Sequence, residues 1–176
     1  MKRIILTAVL VFSAMMSFAG NPLKIISGKD QVKTIMKESA TVVVVYDWSQ
    51  AQYDNKKALK KEWGDNYDLI VEDCEKSFIE GFNDNAKKLR IDQTSENARY
   101  RFVLTIKNVD RFFAAMAFIP AHEAKMWGTL TILDNMTNQT LAEIDIDEAE
   151  DGQHVDIRYC YGETFEELGE KVAKLK

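Results

Sequence analysis

The sequence predicts an α+β domain of two layers, in which a mostly antiparallel sheet carries helices on one face. Alternating apolar and polar residues mark several strands in the second half of the 176-residue chain. Apolar residues at steps of three and four mark helices before and after those strands. Because each apolar stripe must be buried against another element, the helices are expected to cover one side of the sheet.

The first nineteen residues have the pattern of a secretory signal peptide. Lys2 and Arg3 precede an apolar run at 4–16, and small residues lead to a predicted cleavage point at Ala19. The apolar run is shorter than the roughly 18 to 20 residues of a membrane-spanning helix. We therefore expect a signal peptide at 1–19, a single domain at 20–176 without a transmembrane segment, and a periplasmic or secreted location.

The charge balance argues against nucleic acid as a partner. The chain has 23 basic and 28 acidic residues and a formal charge of −5, and loss of Lys2 and Arg3 with the signal peptide leaves 21 basic residues against the 28. An acidic protein repels phosphate backbones, and no run of Lys and Arg interleaved with aromatic residues overcomes that repulsion.

The first half of the chain predicts a short strand and helix, a valine-rich strand at 41–49 and a short helix that ends at Gly64. The valine-rich strand is apolar on both faces, which is typical of a central, well-covered strand. A long amphipathic helix follows Asn66, with Lys87 and Lys88 expected in its last turn and Asp65 or Asn66 as its cap. Its apolar stripe is Tyr67, Ile70, Val71, Cys74, Phe78, Phe82 and Leu89.

The second half predicts three or four strands and a closing helix. Alternation over 99–108 indicates a strand with one buried face, and 130–146 reads as two strands around a polar turn, a β-hairpin. Alternation at 155–161 is compatible with a further strand. Thr164 and Glu167 form a predicted capping box ahead of Phe165, Leu168, Val172 and Leu175 on one helix face.

Patterns for bound metals are incomplete. If Asp147 opens a calcium-binding EF-hand loop, position three is Ala149 and position twelve is Arg158, so the closing bidentate carboxylate is missing. His122 lacks the second histidine of a His-Glu-x-x-His zinc motif. We expect neither a metal nor another cofactor, and interpret the acidic residues after the hairpin as solvated.

The two cysteines and two histidines leave a catalytic alternative open. Cys74 falls on the apolar stripe of the long helix, where a small buried side chain is usual, while Cys160 lies between two tyrosines. An exported protein permits a disulfide, but sequence separation cannot show whether the two Cα atoms approach each other. Cys74 or Cys160 with His122 or His154 could in principle build an unrecognised hydrolase site, although no nucleophile elbow or phosphate-binding loop is present.

The best candidates for binding are two groups of aromatic residues. Residues 112–121 carry no charge, and we interpret them as strand ends with a packed crossing loop or, alternatively, as an exposed apolar surface that binds a partner. Tyr46, Trp48, Tyr53 and Trp63 could together form an aromatic groove. The candidate binding residues are Phe112, Phe113, Phe118, Trp48 and Trp63.

Three motifs resemble a group of uncharacterised secreted proteins of Bacteroidetes. They are the triplet Asp47-Trp48-Ser49 after the valine strand, the Phe78, Phe82 and Asn83 pattern of the long helix, and the hairpin. More distantly, the chain is similar to bacterial envelope domains of unknown function that have a strand, a long helix and a strand meander. Their hairpin turn reads Asp-x-x-Thr-Gly, where this chain has Asn138 in place of the Gly. The resemblance implies a fold and an exported location and no catalytic residues.

The sequence thus favours an exported, non-enzymatic module that binds a protein partner or a small apolar ligand. The alternatives are a hydrolase with an unrecognised active site and a self-associating structural protein of the cell envelope. Discriminating among them requires the positions of the side chains in space.

Overall fold

One mixed sheet and a layer of helices make up the described chain. The computed structural model describes the backbone of 21–116, 119–154 and 156–176, and the side chains of these residues except 113–116, 119–121, 151–154 and 157. The helices are α1 (Lys29–Ile35), α2 (Leu59–Trp63), α3 (Tyr67–Asn85) and α4 (Ile157–Ala173). The strands are β1 (Leu23–Ser27), β2 (Thr41–Asp47), β3 (Gln52–Tyr53), β4 (Lys57–Ala58), β5 (Arg90–Ile91), β6 (Tyr100–Met116), β7 (Ile119–Asp134) and β8 (Thr140–His154).

The α+β class is confirmed. The sheet has the strand order β1-β8-β7-β6-β2-β5, and β3 and β4 form a small ribbon beside β6. The longest pairings, β6 with β7 and β7 with β8, are antiparallel, whereas β2 lies parallel to β6. A parallel neighbour is the natural result of the route from β2 to β6, because the chain returns across the sheet through α3. The predicted signal peptide lies outside the described residues, and within them no helix combines the length and apolar character needed to cross a membrane.

The predicted hairpin at 130–146 is confirmed. β7 and β8 pair with Leu130 opposite Ile144, and both side chains are buried. In the turn, Asp134 Oδ1 accepts hydrogen bonds from the amide and the hydroxyl of Thr137 at 2.9 and 3.0 Å, which lower the pKa of the Asp134 carboxyl. Asn138 closes the turn with φ of 57°, a left-handed conformation that Asn adopts more easily than most residues.

A single apolar core joins the helices to one face of the sheet. The Phe82 ring of α3 meets Phe102 of β6 edge-on, with ring centroids 5.9 Å apart. The Phe78 ring in the preceding turn meets Tyr46 of β2 at 6.1 Å. The aromatic stripe of α3 is therefore buried against the strands, as its spacing predicted.

Two glycines let α3 and α4 approach each other closely. A Cβ atom on Gly169 of α4 would lie 2.2 Å from the Phe78 carbonyl oxygen of α3. A Cβ atom on Gly81 of α3 would lie 2.0 Å from the Glu166 carbonyl oxygen of α4. The backbones of α3 and α4 are in direct contact at this crossing, so neither glycine position has room for a side chain.

Asn83 ties the end of α3 to the edge strand β5. Its Nδ2 donates to the Ile91 carbonyl at 3.0 Å, and its Oδ1 accepts from the Ile91 amide at 2.8 Å. The side chain thereby imitates a neighbouring strand and satisfies both backbone groups of Ile91. This gives a structural reason for the Asn that follows the Phe-x-x-x-Phe pattern.

Replacing Asn83 with alanine is expected to lower the free energy of unfolding by about 2 kcal/mol, because two hydrogen bonds are lost and the partly buried Ile91 groups keep no side-chain partner. Urea denaturation measures the change. Asp84→Ala is the control, since that side chain is exposed on the same turn. Equal stability of the Asn83 and Asp84 variants would contradict the assignment.

The predicted strand at 155–161 is wrong, because α4 already begins at Ile157. Asp156 caps the helix by accepting a hydrogen bond from the Arg158 amide at 3.0 Å. The helical periodicity then buries Cys160 and Tyr161 together while Tyr159 is 62% exposed. Alternation over seven residues could not distinguish these outcomes, and the cap was the stronger local signal.

The capping box at Thr164 is also wrong. Thr164 lies in the interior of α4, and its Oγ1 donates to the Cys160 carbonyl one turn earlier at 2.9 Å. The same hydroxyl lies 3.2 Å from the Ala124 carbonyl of β7. A buried Thr that bonds to the preceding turn and to a strand thus replaces the predicted helix start.

The boundaries of α3 differ from prediction at both ends. The helix ends at Asn85, so Lys87 and Lys88 lie beyond its last turn. Asn66 occupies the predicted cap position, but its side chain makes no capping hydrogen bond, because a 3₁₀ turn at Gly64–Asn66 leads directly into the helix.

The valine-rich strand is covered on one face only. In β2, Val42 and Val44 are buried, whereas Val45 is 46% exposed. The strand lies next to the short edge strand β5, and no helix among the described residues packs on its outer face. An apolar run was therefore insufficient to show burial on both sides.

The predicted crossing loop within 112–121 is replaced by a continuing hairpin. β6 extends to Met116 and β7 starts at Ile119, with these two residues opposite each other. Residues 112–116 and 119–121 of the uncharged segment therefore belong to two paired strands.

Candidate functional site

Two of the three predicted phenylalanines, Phe112 and Phe113, lie in β6. Phe112 is 43% exposed, and the ammonium group of Lys125 lies 4.8 Å from the centroid of its ring. Phe113 pairs with His122 through the backbone, but its side chain lies outside the described residues. Phe118 lies outside them altogether. Their role in binding remains a prediction.

The two predicted tryptophans come together. Trp48, just after β2, stacks on Phe165 of α4 with ring centroids 5.5 Å apart, and Trp63 of α2 lies 6.0 Å away. The Trp48 indole donates a hydrogen bond to Glu75 Oε1 at 3.0 Å. Burial raises the pKa of the Glu75 carboxyl, and the bond from Trp48 opposes that rise. These contacts fix Trp48 and leave Trp63 as the inner member of the pair.

Tyr46 and Tyr53 occupy different surroundings. The hydroxyl of Tyr46 donates to the Glu75 carbonyl at 2.9 Å, so it belongs to the contact between β2 and α3. Tyr53 instead lines a cavity of about 140 Å³ beside Trp63. We call this the aromatic cavity, and its polar lining residues are Tyr53, Glu62, Trp63, Asn66, Arg111 and Tyr161.

Two larger grooves adjoin each other at the end of α4. One lies beside β1 and the start of α1, and the other lies beside the ends of α1 and α3. One has a volume of about 670 Å³ and the other about 560 Å³, within the range of 300 to 1,000 Å³ that is typical of ligand sites. They share Lys174, Leu175 and Lys176, and no acidic side chain lines either one among the described residues. We call them together the lysine groove, after Lys29, Lys33, Lys37, Lys87, Lys171, Lys174 and Lys176.

The fold explains why these lysines converge. Lys29, Lys33 and Lys37 recur at steps of four, which places them along one side of α1 and its end. Lys87 follows the end of α3, and the other three lysines belong to the last turn and end of α4. Cations are favoured at the carboxyl ends of helices, because the backbone carbonyls there carry partial negative charge, whereas Lys29 lies at the amino end of α1 and lacks that stabilisation.

Helix ends alone do not account for so many cations. Each helix end carries about half a negative charge, so three ends offset about 1.5 charges. Three of the seven lysines also have carboxylate partners: Lys33 with Asp30 at 3.6 Å, Lys171 with Glu167 at 3.2 Å, and Lys174 with Glu170. Within the described chain, no ion pair is formed by the remaining four, Lys29, Lys37, Lys87 and Lys176. The groove keeps a surplus of positive charge in an acidic protein.

The floor of the lysine groove is apolar. Leu175 is common to both halves and is 8% exposed, and Leu23 of β1 is 7% exposed. Ile25, Met36 and Ala173 are partly buried and pack against the core. Positive rim and apolar floor together suit an amphiphile with an anionic head.

Sequence reasoning missed this groove. Its lysines come from three segments, 29–37, 87 and 171–176, and none of these is a conspicuous basic run. Only the convergence of the helix ends brings them to one surface. The available signal was the four-residue repeat of lysine in α1, which by itself describes an ordinary solvated helix face.

The two cysteines considered from sequence as nucleophiles lie inside the protein, whereas a reactive thiol must be accessible. Cys74 and Cys160 are both buried and are not joined by a disulfide, and burial raises the pKa of the Cys74 thiol. The Cys160 thiol lies 3.1 Å from the backbone carbonyl oxygen of His122.

The acidic stretch after the hairpin is part of β8. Lys125 of β7 bridges two of its carboxylates, Glu150 at 2.8 Å and Glu148. In the portion of the chain with described side chains, no three His, Cys, Asp or Glu residues are grouped as a metal would need.

Comparison with known proteins gives structural likenesses only. No family model and no curated protein matches the sequence. A PelC dodecamer subunit from Paraburkholderia phytofirmans aligns at a TM-score of 0.48 and 10% identity, over 85% of this chain and 96% of that one. A putative neuraminyllactose-binding hemagglutinin homolog from Helicobacter pylori aligns at 0.38 and 14%, over 78% and 83%. A Xanthomonas campestris protein of the DUF330 family aligns at 0.38 and 7%, also over 78% and 83%.

These likenesses assign neither a ligand nor an assembly to this protein, because both the identities and the TM-scores are low. The resemblance to secreted proteins of Bacteroidetes has no counterpart among them and remains a prediction.

Proposed function

We propose that the protein is an exported, non-enzymatic module of the bacterial cell envelope that binds anionic phospholipid through the lysine groove. The observation that carries this proposal is the meeting of seven lysines around an apolar floor, without an acidic side chain in the described lining. The groove narrows the class of ligand predicted from the sequence, because a ligand for it must be anionic as well as apolar.

Lipid headgroups match the chemistry of the rim. Lysine ammonium groups act as point charges with three donors each and do not require the planar, paired geometry that arginine imposes. A phosphodiester headgroup presents one negative charge and oxygen acceptors to such a rim. The surplus charge of Lys29, Lys37, Lys87 and Lys176 supplies the attraction, which is worth about 1 kcal/mol for each lysine near an anionic membrane surface.

The position of the chain entry also favours a membrane. Asn21 lines the groove, and only residues 17–20 separate it from the apolar run at 4–16. Four residues span at most about 14 Å when extended. Until cleavage at the predicted point after Ala19, a signal peptide in the membrane would hold this part of the chain near the bilayer surface.

Flotation with lipid vesicles tests the proposal. The purified protein is expected to float with vesicles that contain phosphatidylglycerol and not with vesicles of phosphatidylcholine alone. The double variant Lys37→Glu with Lys87→Glu is expected to weaken binding at least about tenfold, because each reversal replaces an attraction with a repulsion.

The matched control reverses two lysines away from the groove, Lys61→Glu with Lys107→Glu. It changes the net charge of the protein by the same amount, so general electrostatic attraction would weaken equally in both variants. Equal loss in the two variants, or binding to both kinds of vesicle alike, would refute a lysine groove that recognises anionic lipid.

A further inference from the structure

We infer a second site, separate from the lysine groove: the aromatic cavity binds a small carboxylate, as a free anion or as the carboxylate of a peptide. Its lining presents hydrogen-bond donors on several sides, from Tyr53, Trp63, Arg111 and Tyr161. The inference does not depend on the proposed function, because it uses other residues.

The Trp63 indole gives the clearest indication of a missing acceptor. Trp63 is 8% exposed, and its buried Nε1 makes no hydrogen bond within the described residues. The Tyr161 ring lies 4.8 Å away, between centroids. The indole N–H lowers the pKa of the Tyr161 hydroxyl as a nearby donor does, but the two groups do not form a well-aligned hydrogen bond. An unsatisfied buried donor costs about 1 to 3 kcal/mol, so an acceptor in the cavity would be stabilising.

The charges around the cavity favour an anion. Arg111 forms no ion pair within the described chain, so its guanidinium is available. The only acidic side chain in the described lining is Glu62, and Lys57 binds it at 3.0 Å. Asp110 accepts a hydrogen bond from the Arg111 amide at 2.7 Å. Lys57 thus offsets the charge of Glu62, whereas the charge of Asp110 still acts on Tyr53, which leaves the Arg111 side of the cavity for an anion.

The tyrosines are suited to donate rather than accept. Burial raises the pKa of the Tyr161 hydroxyl, and the Trp63 indole and then the Arg111 charge oppose that rise. Burial also raises the pKa of Tyr53, where the Arg111 charge is the main opposing cause. Both hydroxyls therefore keep their protons at neutral pH. A carboxylate carries only acceptors, which makes it complementary to such a lining.

The size of the cavity limits the ligand. About 140 Å³ corresponds to roughly four or five water molecules at about 30 Å³ each. A carboxylate with a short aliphatic group fits this space, and the rings of Trp63 and Tyr161 provide apolar walls. Asn66 at the amino end of α3 adds the positive end of a helix dipole.

Titration calorimetry with propionate, and with propionamide as the neutral analogue of equal shape, tests the inference. Propionate is expected to bind one equivalent, and propionamide at least about tenfold more weakly. Arg111→Gln is expected to weaken propionate binding about tenfold, and Trp63→Phe should weaken it while keeping an aromatic ring. Arg99→Gln is the matched control and should bind as the wild type does.

The same calorimetric titration with peptides distinguishes a free carboxylate from the carboxylate of a peptide. A peptide ligand is indicated if a short peptide with a free C-terminal carboxylate binds more tightly than propionate and loses that advantage when it is amidated. A free anion is indicated if the peptide and propionate bind with equal affinity. The inference is overturned if propionate does not bind, if propionamide binds equally well, or if Arg111→Gln has no effect while circular dichroism shows a folded protein.

Discussion

Replacing Gly169 with alanine is expected to lower the free energy of unfolding by about 3 kcal/mol. The new methyl group would stand 2.2 Å from the Phe78 carbonyl oxygen and 2.8 Å from the Phe82 amide nitrogen, so α3 and α4 must separate. Overpacking usually costs about 1 to 3 kcal/mol, and the upper end applies because backbone atoms cannot rotate away. The midpoint of urea denaturation, at an unchanged slope, measures the loss.

Gly162→Ala in the same helix is the matched control. A Cβ atom at Gly162 meets only the Ser77 hydroxyl oxygen, at 3.3 Å, and alanine favours a helix over glycine by about 1 kcal/mol. The control should therefore be neutral or stabilising. Gly81→Ala should behave like Gly169→Ala, and a pair of glycine variants as stable as the control would show that the helices do not cross closely.

Phe82→Ala is expected to cost about 3 to 5 kcal/mol, the usual range for removing a fully buried phenylalanine. Its ring is completely buried and meets Phe102 edge-on at 5.9 Å. Deletion leaves a cavity between α3 and β6 that neither the sheet nor the helix can close without moving. Thermal and urea unfolding followed by circular dichroism measure the change.

Leu69→Ala provides the comparison on the same helix. Leu69 is 48% exposed, so its truncation should change the free energy of unfolding by less than about 1 kcal/mol. If both variants lost equal stability, α3 would not present its Phe82 side to the sheet.

The sequence predicted those parts of the fold where periodicity and local chemistry agree. The stripe containing Phe78 and Phe82 and the alternation in β6 had a clear period, and the Asp134 turn had turn-forming residues between two alternating runs. Between 155 and 161 a strand-like alternation conflicted with an Asp cap, and the cap prevailed. The exposed face of β2 depends on which element packs there, which no local pattern contains.

The candidate sites were harder to predict, because they combine residues that are distant in the sequence. The pairing of Trp48 with Trp63 could be anticipated, because both flank a short connection between β2 and α3. The partnership of Trp63 with Arg111 and Tyr161 could not, since it joins residues from α2, β6 and α4. The lysine groove was the hardest to predict. In the sequence its lysines resemble ordinary solvated lysines near helix ends, and only the packing of α1, α3 and α4 brings them to one surface.

The most direct test of the lysine groove is nuclear magnetic resonance of the ¹⁵N-labelled protein during titration with lysophosphatidylglycerol. We expect the amide chemical-shift changes to concentrate at residues 29–37, around 87 and at 171–176, and to saturate with one ligand bound. Shifts centred on the exposed face of β2 or on residues 112–127, with residues 29–37 and 171–176 unmoved, would contradict it.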